Sequence, residues 1–152
     1  MAKEIERKYL VKNDIWNKLD KPAFVDIHQG YLINENGVTV RVRYTDKIGT
    51  LTIKSKQIGI SRDEFEYEIP LNDAKHIFTH LCKTKLVKKR YYFEGSSNMW
   101  EVDEYLGKLE GLIIAEVELN HEAEIIKDIP NWLGEEVSFD NAYSNASLAS
   151  KY

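Results

Sequence analysis

Polar and apolar residues alternate along most of this chain. The segments 2–11 (AKEIERKYLV), 24–33 (FVDIHQGYLI), 38–45 (VTVRVRYT), 50–57 (TLTIKSKQ), 61–69 (SRDEFEYEI), 84–94 (TKLVKKRYYFE), 99–106 (MWEVDEYL) and 112–120 (LIIAEVELN) keep a period of two over most of their length. A strand with one apolar and one polar face has that period, so about eight strands are predicted. Turn residues at Asn34-Glu35-Asn36-Gly37, Asp46 to Gly49, Gly59 and Gly95 to Asn98 separate several of them, at spacings that suit antiparallel hairpins. Helical patterning is confined to the gaps: 14–19, 72–82 after Pro70, and short segments at 121–127 and 143–149. Without an internal repeat or a linker, residues 1–152 read as a single domain. Its predicted class is mainly antiparallel β, an up-and-down sheet or barrel with a few peripheral helices.

The polar faces are sorted by sign. Glu4 and Glu6 share a face, as do Arg41 and Arg43, Lys54 and Lys56, Glu64, Glu66 and Glu68, Lys88 and Arg90, Glu101 and Asp103, and Glu116 and Glu118. A solvated strand face normally mixes both signs with Ser and Thr. Like charges two residues apart repel by up to about 1 kcal/mol at a protein surface, so the pattern needs cross-strand partners or a ligand. One such pair is ordinary; seven together describe a lining. If the strands close with their apolar faces outward, these positions enclose a solvated interior of about nine acids and seven bases. Lys and Arg contact phosphate oxygens, and carboxylates hold hard divalent cations, so this mixture suits a polyanion bound through metal ions.

Composition narrows the setting. A chain of 152 residues with 43% apolar and 30% charged content buries a core without staples. Cys82 is the single cysteine and cannot form an internal disulfide, and no apolar stretch of membrane-spanning length occurs. A cytoplasmic location and no membrane partner are the default expectations. The net charge of -4 argues against a broad nucleic-acid surface.

These segments, in order, resemble the triphosphate tunnel metalloenzymes of the CYTH superfamily, in particular the short bacterial inorganic triphosphatases. EIERKYL resembles their Glu-x-Glu-x-Lys motif, VRVR their paired arginines, LTIKSK their paired lysines, SRDEFEYEI an acidic strand, VKKRYYF a Lys-x-Arg strand, VDEY an Asp-bearing strand and AEVEL a Glu-x-Glu strand. GEEVSFDNAYSNASLA resembles the closing segment of short members, with Ser138 where many have Thr. The resemblance implies an eight-stranded tunnel and divalent-metal-dependent triphosphate hydrolysis, most simply of inorganic tripolyphosphate to pyrophosphate and orthophosphate. Glu4, Glu6, Lys8 and Asp103 would be catalytic. Glu4, Glu6, Asp103, Glu116 and Glu118 would hold one or two Mg²⁺ or Mn²⁺ ions. Lys8, Arg41, Arg43, Lys54, Lys56, Lys88 and Arg90 would bind the substrate, assisted by Glu64 and Glu66. The same lining would also serve a class IV adenylate cyclase, a thiamine or nucleoside triphosphatase, or a noncatalytic polyphosphate-binding module. The expected partner is a small-molecule triphosphate, with homodimerisation through an outer face left open.

Other groups carry less chemistry. His76 and His80 are four residues apart on a predicted helix but lack a third ligand. His28, His121 and Cys82 are isolated. Trp16, Trp100 and Trp132 fit packing between helices and the outer wall, while Tyr143 is a candidate to cover a tunnel mouth.

Overall fold

The computed structural model describes residues 3–151, so Ala2, at the start of the first expected strand, lies outside them. The alternating segments become β1 (Lys3–Val11), β2 (Val25–Glu35), β3 (Val38–Tyr44), β4 (Gly49–Lys54), β5 (Ser61–Ile69), β6 (Thr84–Glu94), β7 (Met99–Tyr105) and β8 (Ile113–Glu118). A ninth strand, β9 (Leu133–Glu136), was not expected. The strands are hydrogen-bonded in the order β5-β4-β3-β2-β6-β7-β8-β1-β9, and a further β5–β1 pairing turns the first eight into a closed antiparallel barrel. Lys3, Glu4 and Ile5 of β1 face Asp63, Arg62 and Ser61 of β5 at that closure. Further along, β9 takes over the same edge of β1.

Period two puts odd and even residues on opposite walls. Outside, Ile5, Tyr9, Trp100, Val102, Ala115 and Val117 pack beneath α1 (Asn13–Lys18). Trp16 of α1 is fully buried and meets Tyr91, Phe93 and Trp132 edge-on or nearly so, contacts that each contribute about 0.5–1.5 kcal/mol beyond their buried area. Its indole N–H donates to Glu104. On the other flank α2 (Leu71–His80) lies against the barrel so closely that a Cβ on Gly49 would stand 2.6 Å from Ala74 Cβ.

Inside, the inward positions change character along the barrel. Leu10, Tyr31, Leu86, Tyr105 and Ile114 gather with Leu148 and Ala149 of α3 (Asn145–Ala149) into an apolar cluster. That cluster occupies one end of the interior, and the charged positions line the rest of the tunnel. Tyr143 packs into this cluster, away from the rim that Asn34, Gly37 and Lys56 form at the other end.

Two expected elements differ. Residues 121–127 form a turn and coil, not a helix: Glu124 folds back to accept from Asn120 N and Asn98 Nδ2, and Glu122 accepts from Ser61 Oγ. β4 ends at Lys54, leaving Lys56 on a loop. Among the described residues no helix is long and apolar enough to cross a membrane.

Candidate active site

The barrel encloses a cavity of about 460 Å³. Glu4, Glu6, Glu64, Glu66, Glu101, Glu116 and Glu118 line it, opposed by Arg41, Arg43, Lys54, Lys56, Arg62 and Arg90. Most of the expected site residues therefore converge on one space. The exceptions are Lys8, Lys88 and Asp103, which lie behind the lining, and Glu68, which is solvent-exposed outside it.

The acidic side is carried by β1 and β8, where Glu6 pairs with Glu118 and Lys8 with Glu116 in register. Glu4 accepts from Lys54 Nζ at 3.0 Å and from Arg62 Nε at 2.7 Å. Burial opposes its charge, yet Lys54 and Arg62 outweigh burial and hold the carboxyl well below the usual carboxylate range. Glu6 has no such escort. Burial pushes it up to about 8, with the carboxylates of Glu116 and Glu4 adding to the effect. Burial works against Glu116 as well, but Lys8, Arg90 and Lys88 keep it ionised. Burial and the nearby Glu4 and Glu64 also raise Glu118.

One buried atom on each side is left without a hydrogen bond: Glu116 Oε1, an acceptor, and Arg41 Nε, a donor. The nearest ammonium to Glu116 Oε1 is Lys8 Nζ, at 3.8 Å. Lys8 Nζ donates instead to the Tyr143 carbonyl. An unpaired buried acceptor beside a second carboxylate fits a cation, and an unpaired buried guanidinium donor fits an anion. Among the described residues no three acidic, His or Cys side chains already converge as a cation shell, and Glu4 is paired with Lys54 and Arg62.

The basic side is braced by acids and amides. Arg41 donates to Thr52, which donates in turn to Glu66 at 2.9 Å, while Lys54 also contacts Glu64 at 3.1 Å. Arg43 donates to Gln29, and burial together with Arg41 and Arg90 lowers its guanidinium to about 10. Behind the lining, Asp103 accepts from Arg90 Nε and Lys88 Nζ, each at 2.7 Å, with Asp103 and the Lys88 side chain fully buried. Both Asp103 oxygens are engaged, so the expectation that it helps hold metal is not matched by a free oxygen facing the cavity. Arg90 also pairs with Glu101.

Several lining residues were not anticipated. Arg62 breaks the sign pattern of its strand but shares parity with Glu64 and Glu66, a signal the sequence does contain. Tyr31, Asn141, Ser144, Asn145 and Ser147 also border the cavity, and neutral side chains leave no charge pattern to follow.

A closed antiparallel barrel with an interior of opposed carboxylates and guanidinium or ammonium groups is the architecture of the CYTH domain. The CYTH domain model matches residues 2–151, and the chain belongs to that family. It is 44% identical over 149 residues to an inorganic triphosphatase of Acetivibrio thermocellus, covering 97% of this chain and 94% of that one. An inorganic triphosphatase of Nitrosomonas europaea is 32% identical, with 96% of each chain covered. A crystal structure of an inorganic triphosphatase superposes with a TM-score of 0.64 at 30% identity, over 96% of this chain and 97% of the other.

Proposed function

We propose that this protein hydrolyses inorganic tripolyphosphate to pyrophosphate and orthophosphate with a divalent cation, in the cytoplasm. The observation that carries this reading is the pair of unsatisfied buried atoms on opposite walls, Glu116 Oε1 and Arg41 Nε, across a charged cavity. The relatives' activity supports it.

Glu4, Glu6, Glu116 and Glu118 form an all-oxygen donor set that suits one or two Mg²⁺ or Mn²⁺ ions. A cation held there supplies Lewis-acid neutralisation of phosphate charge. Arg41, Arg43, Lys54, Lys56 and Arg90 clamp the phosphate oxygens, with Glu64 and Glu66 fixing the direction of Lys54 and Arg41. A phosphate that takes Lys54 and Arg62 as partners frees Glu4 for the cation. In hydrolysis, water adds to the terminal phosphorus, the bridging oxygen leaves with pyrophosphate, and of the water's two protons one stays on the orthophosphate and one passes to solvent. The clamp stabilises charge on the equatorial and leaving oxygens. Lys8 sits beside Glu116 and holds it ionised; Asp103 positions Arg90 and Lys88.

Phosphorus NMR of products from tripolyphosphate, ATP and thiamine triphosphate, each with Mg²⁺ and with EDTA, tests the proposal. Orthophosphate from tripolyphosphate that disappears in EDTA and in Glu6→Ala is the expected result. Pyrophosphate with cyclic AMP from ATP would assign a cyclase, and binding without turnover a noncatalytic module.

A further inference from the structure

Asn145 is the point where the C-terminal segment meets the buried charge cluster. Its Oδ1 accepts from Lys88 Nζ at 3.2 Å and from the Tyr105 hydroxyl at 2.5 Å. Lys88 Nζ is held as a donor by the Asp103 carboxylate at 2.7 Å and donates, with the Tyr105 hydroxyl, to the same atom, so the amide oxygen, not the nitrogen, faces Lys88. The amide is planar, and fixing Oδ1 fixes Nδ2 on its other side. No acceptor among the described residues takes an Nδ2 proton, yet Nδ2 is not among the buried atoms lacking a partner. Asn145 lines the cavity, whereas Lys88 does not reach it and is fully buried.

We propose that Asn145 is a substrate-binding residue whose Nδ2 donates to a phosphate oxygen at the cavity floor. Lys88 and Tyr105 are positioning residues that act through it. The proposal rests on the triphosphate reading above and replaces the expected direct contact from Lys88 with a contact from the amide that Lys88 holds. A donor locked in place before the ligand arrives needs no reorganisation when charge builds on the oxygen it faces. It also adds no positive charge to a floor already occupied by Arg90.

Asn145→Asp, Asn145→Ser and Tyr105→Phe test the assignment. Asn145→Asp keeps oxygens for Lys88 and Tyr105 but puts an anion where the donor stood. Asn145→Ser shortens the side chain, and Tyr105→Phe releases one of the two groups that orient it. Steady-state hydrolysis of tripolyphosphate with Mg²⁺, alongside calorimetric titration of tripolyphosphate in EDTA, gives two readouts. Asn145→Asp is expected to raise KM and the calorimetric Kd about tenfold or more, the scale of one lost hydrogen bond to a charged group. Tyr105→Phe should weaken binding by a few-fold. Wild-type turnover with an unchanged KM in folded Asn145→Asp overturns the assignment alone; should that variant not fold, an unchanged KM in Asn145→Ser does the same. Wild type that binds without turnover removes the hydrolase reading, while a weakened Kd in Asn145→Asp still upholds Asn145. Wild type that neither binds nor turns over tripolyphosphate removes both.

Discussion

Glu4 and Asp103 have the same escort, one lysine and one arginine, and differ in what lies beyond it. Around Asp103 the Lys88 contact is sealed, with no side-chain exposure on Asp103 or Lys88, and only Arg90 reaches from the cluster to the cavity. Around Glu4 the Lys54 and Arg62 contacts border the cavity, and the Glu4 side chain keeps 12% of its surface. Sealed charges cannot exchange partners without leaving one of them bare, so the Asp103 cluster is a fixture of the fold. Charges on a wet wall can exchange a carboxylate for a phosphate oxygen at little cost, which makes the Glu4 cluster the adjustable one. Ion pairs of nearly equal length thus serve rigidity in one place and exchange in the other, and access to solvent separates the two.

The largest expected effect breaks the sealed side. Asp103→Ala removes the carboxylate that buried Lys88 and Arg90 share, leaving Glu101 as the partner of Arg90, and should cost about 3–5 kcal/mol in denaturant unfolding; a loss under about 1 kcal/mol would mean that water reaches the cluster. Glu4→Gln should do the reverse. Its unfolding free energy is expected to stay within about 1 kcal/mol of wild type, because Lys54 keeps Glu64 and the cavity stays wet. The Mg²⁺ concentration for half-maximal hydrolysis should rise about 10–100-fold, since one ligand charge is gone.

Acid titration sharpens the contrast. Burial opposes the charge on Asp103, but Arg90 and Lys88 lower it from the ordinary 3.8, as Lys54 and Arg62 lower Glu4 from 4.5. Each carboxylate therefore adds stability that is complete above its ordinary value and is lost as pH falls below it, with a slope of at most about 1.4 kcal/mol per pH unit. Asp103→Asn should flatten the acid limb of stability against pH below about 4, and Glu4→Gln should flatten it less. Equal flattening would show that the two sites are equally shielded. The smallest effect belongs to the rim: Lys56→Ala should raise KM by a few-fold at low salt and by nothing measurable near 0.5 M salt, roughly, where exposed charges are screened.

The eight barrel strands and the charged lining were legible because period two and same-sign spacing are local patterns. Ile5 between Glu4 and Glu6 already shows which wall each side chain occupies. β9 was not legible: Leu133-Gly134-Glu135-Glu136 has no alternation and becomes a strand only because β1 offers an edge. Lys88 and Arg90 look identical in sequence, yet one is sealed and the other lines the cavity. That difference is set by α3, which arrives some sixty residues later in the chain and brings Asn145 over Lys88. The short segment at 121–127 is coil where a helix is expected. Glu122 and Glu124 in fact reach back to Ser61 and Asn98, contacts that no local window contains.

The barrel is closed along β1, and that seam has a kinetic consequence. Ile5 must find Ser61 on one side, while Glu6 must find Glu118 on the other. β1 precedes both of its partners in the chain and is therefore among the last of these strands to be paired on both edges, and such non-local pairing slows folding. Until β8 is made, an alternating strand edge is open to other nascent chains. Since β1 also carries Glu4 and Glu6, completion of the fold and assembly of the acidic wall are one event on the folding pathway.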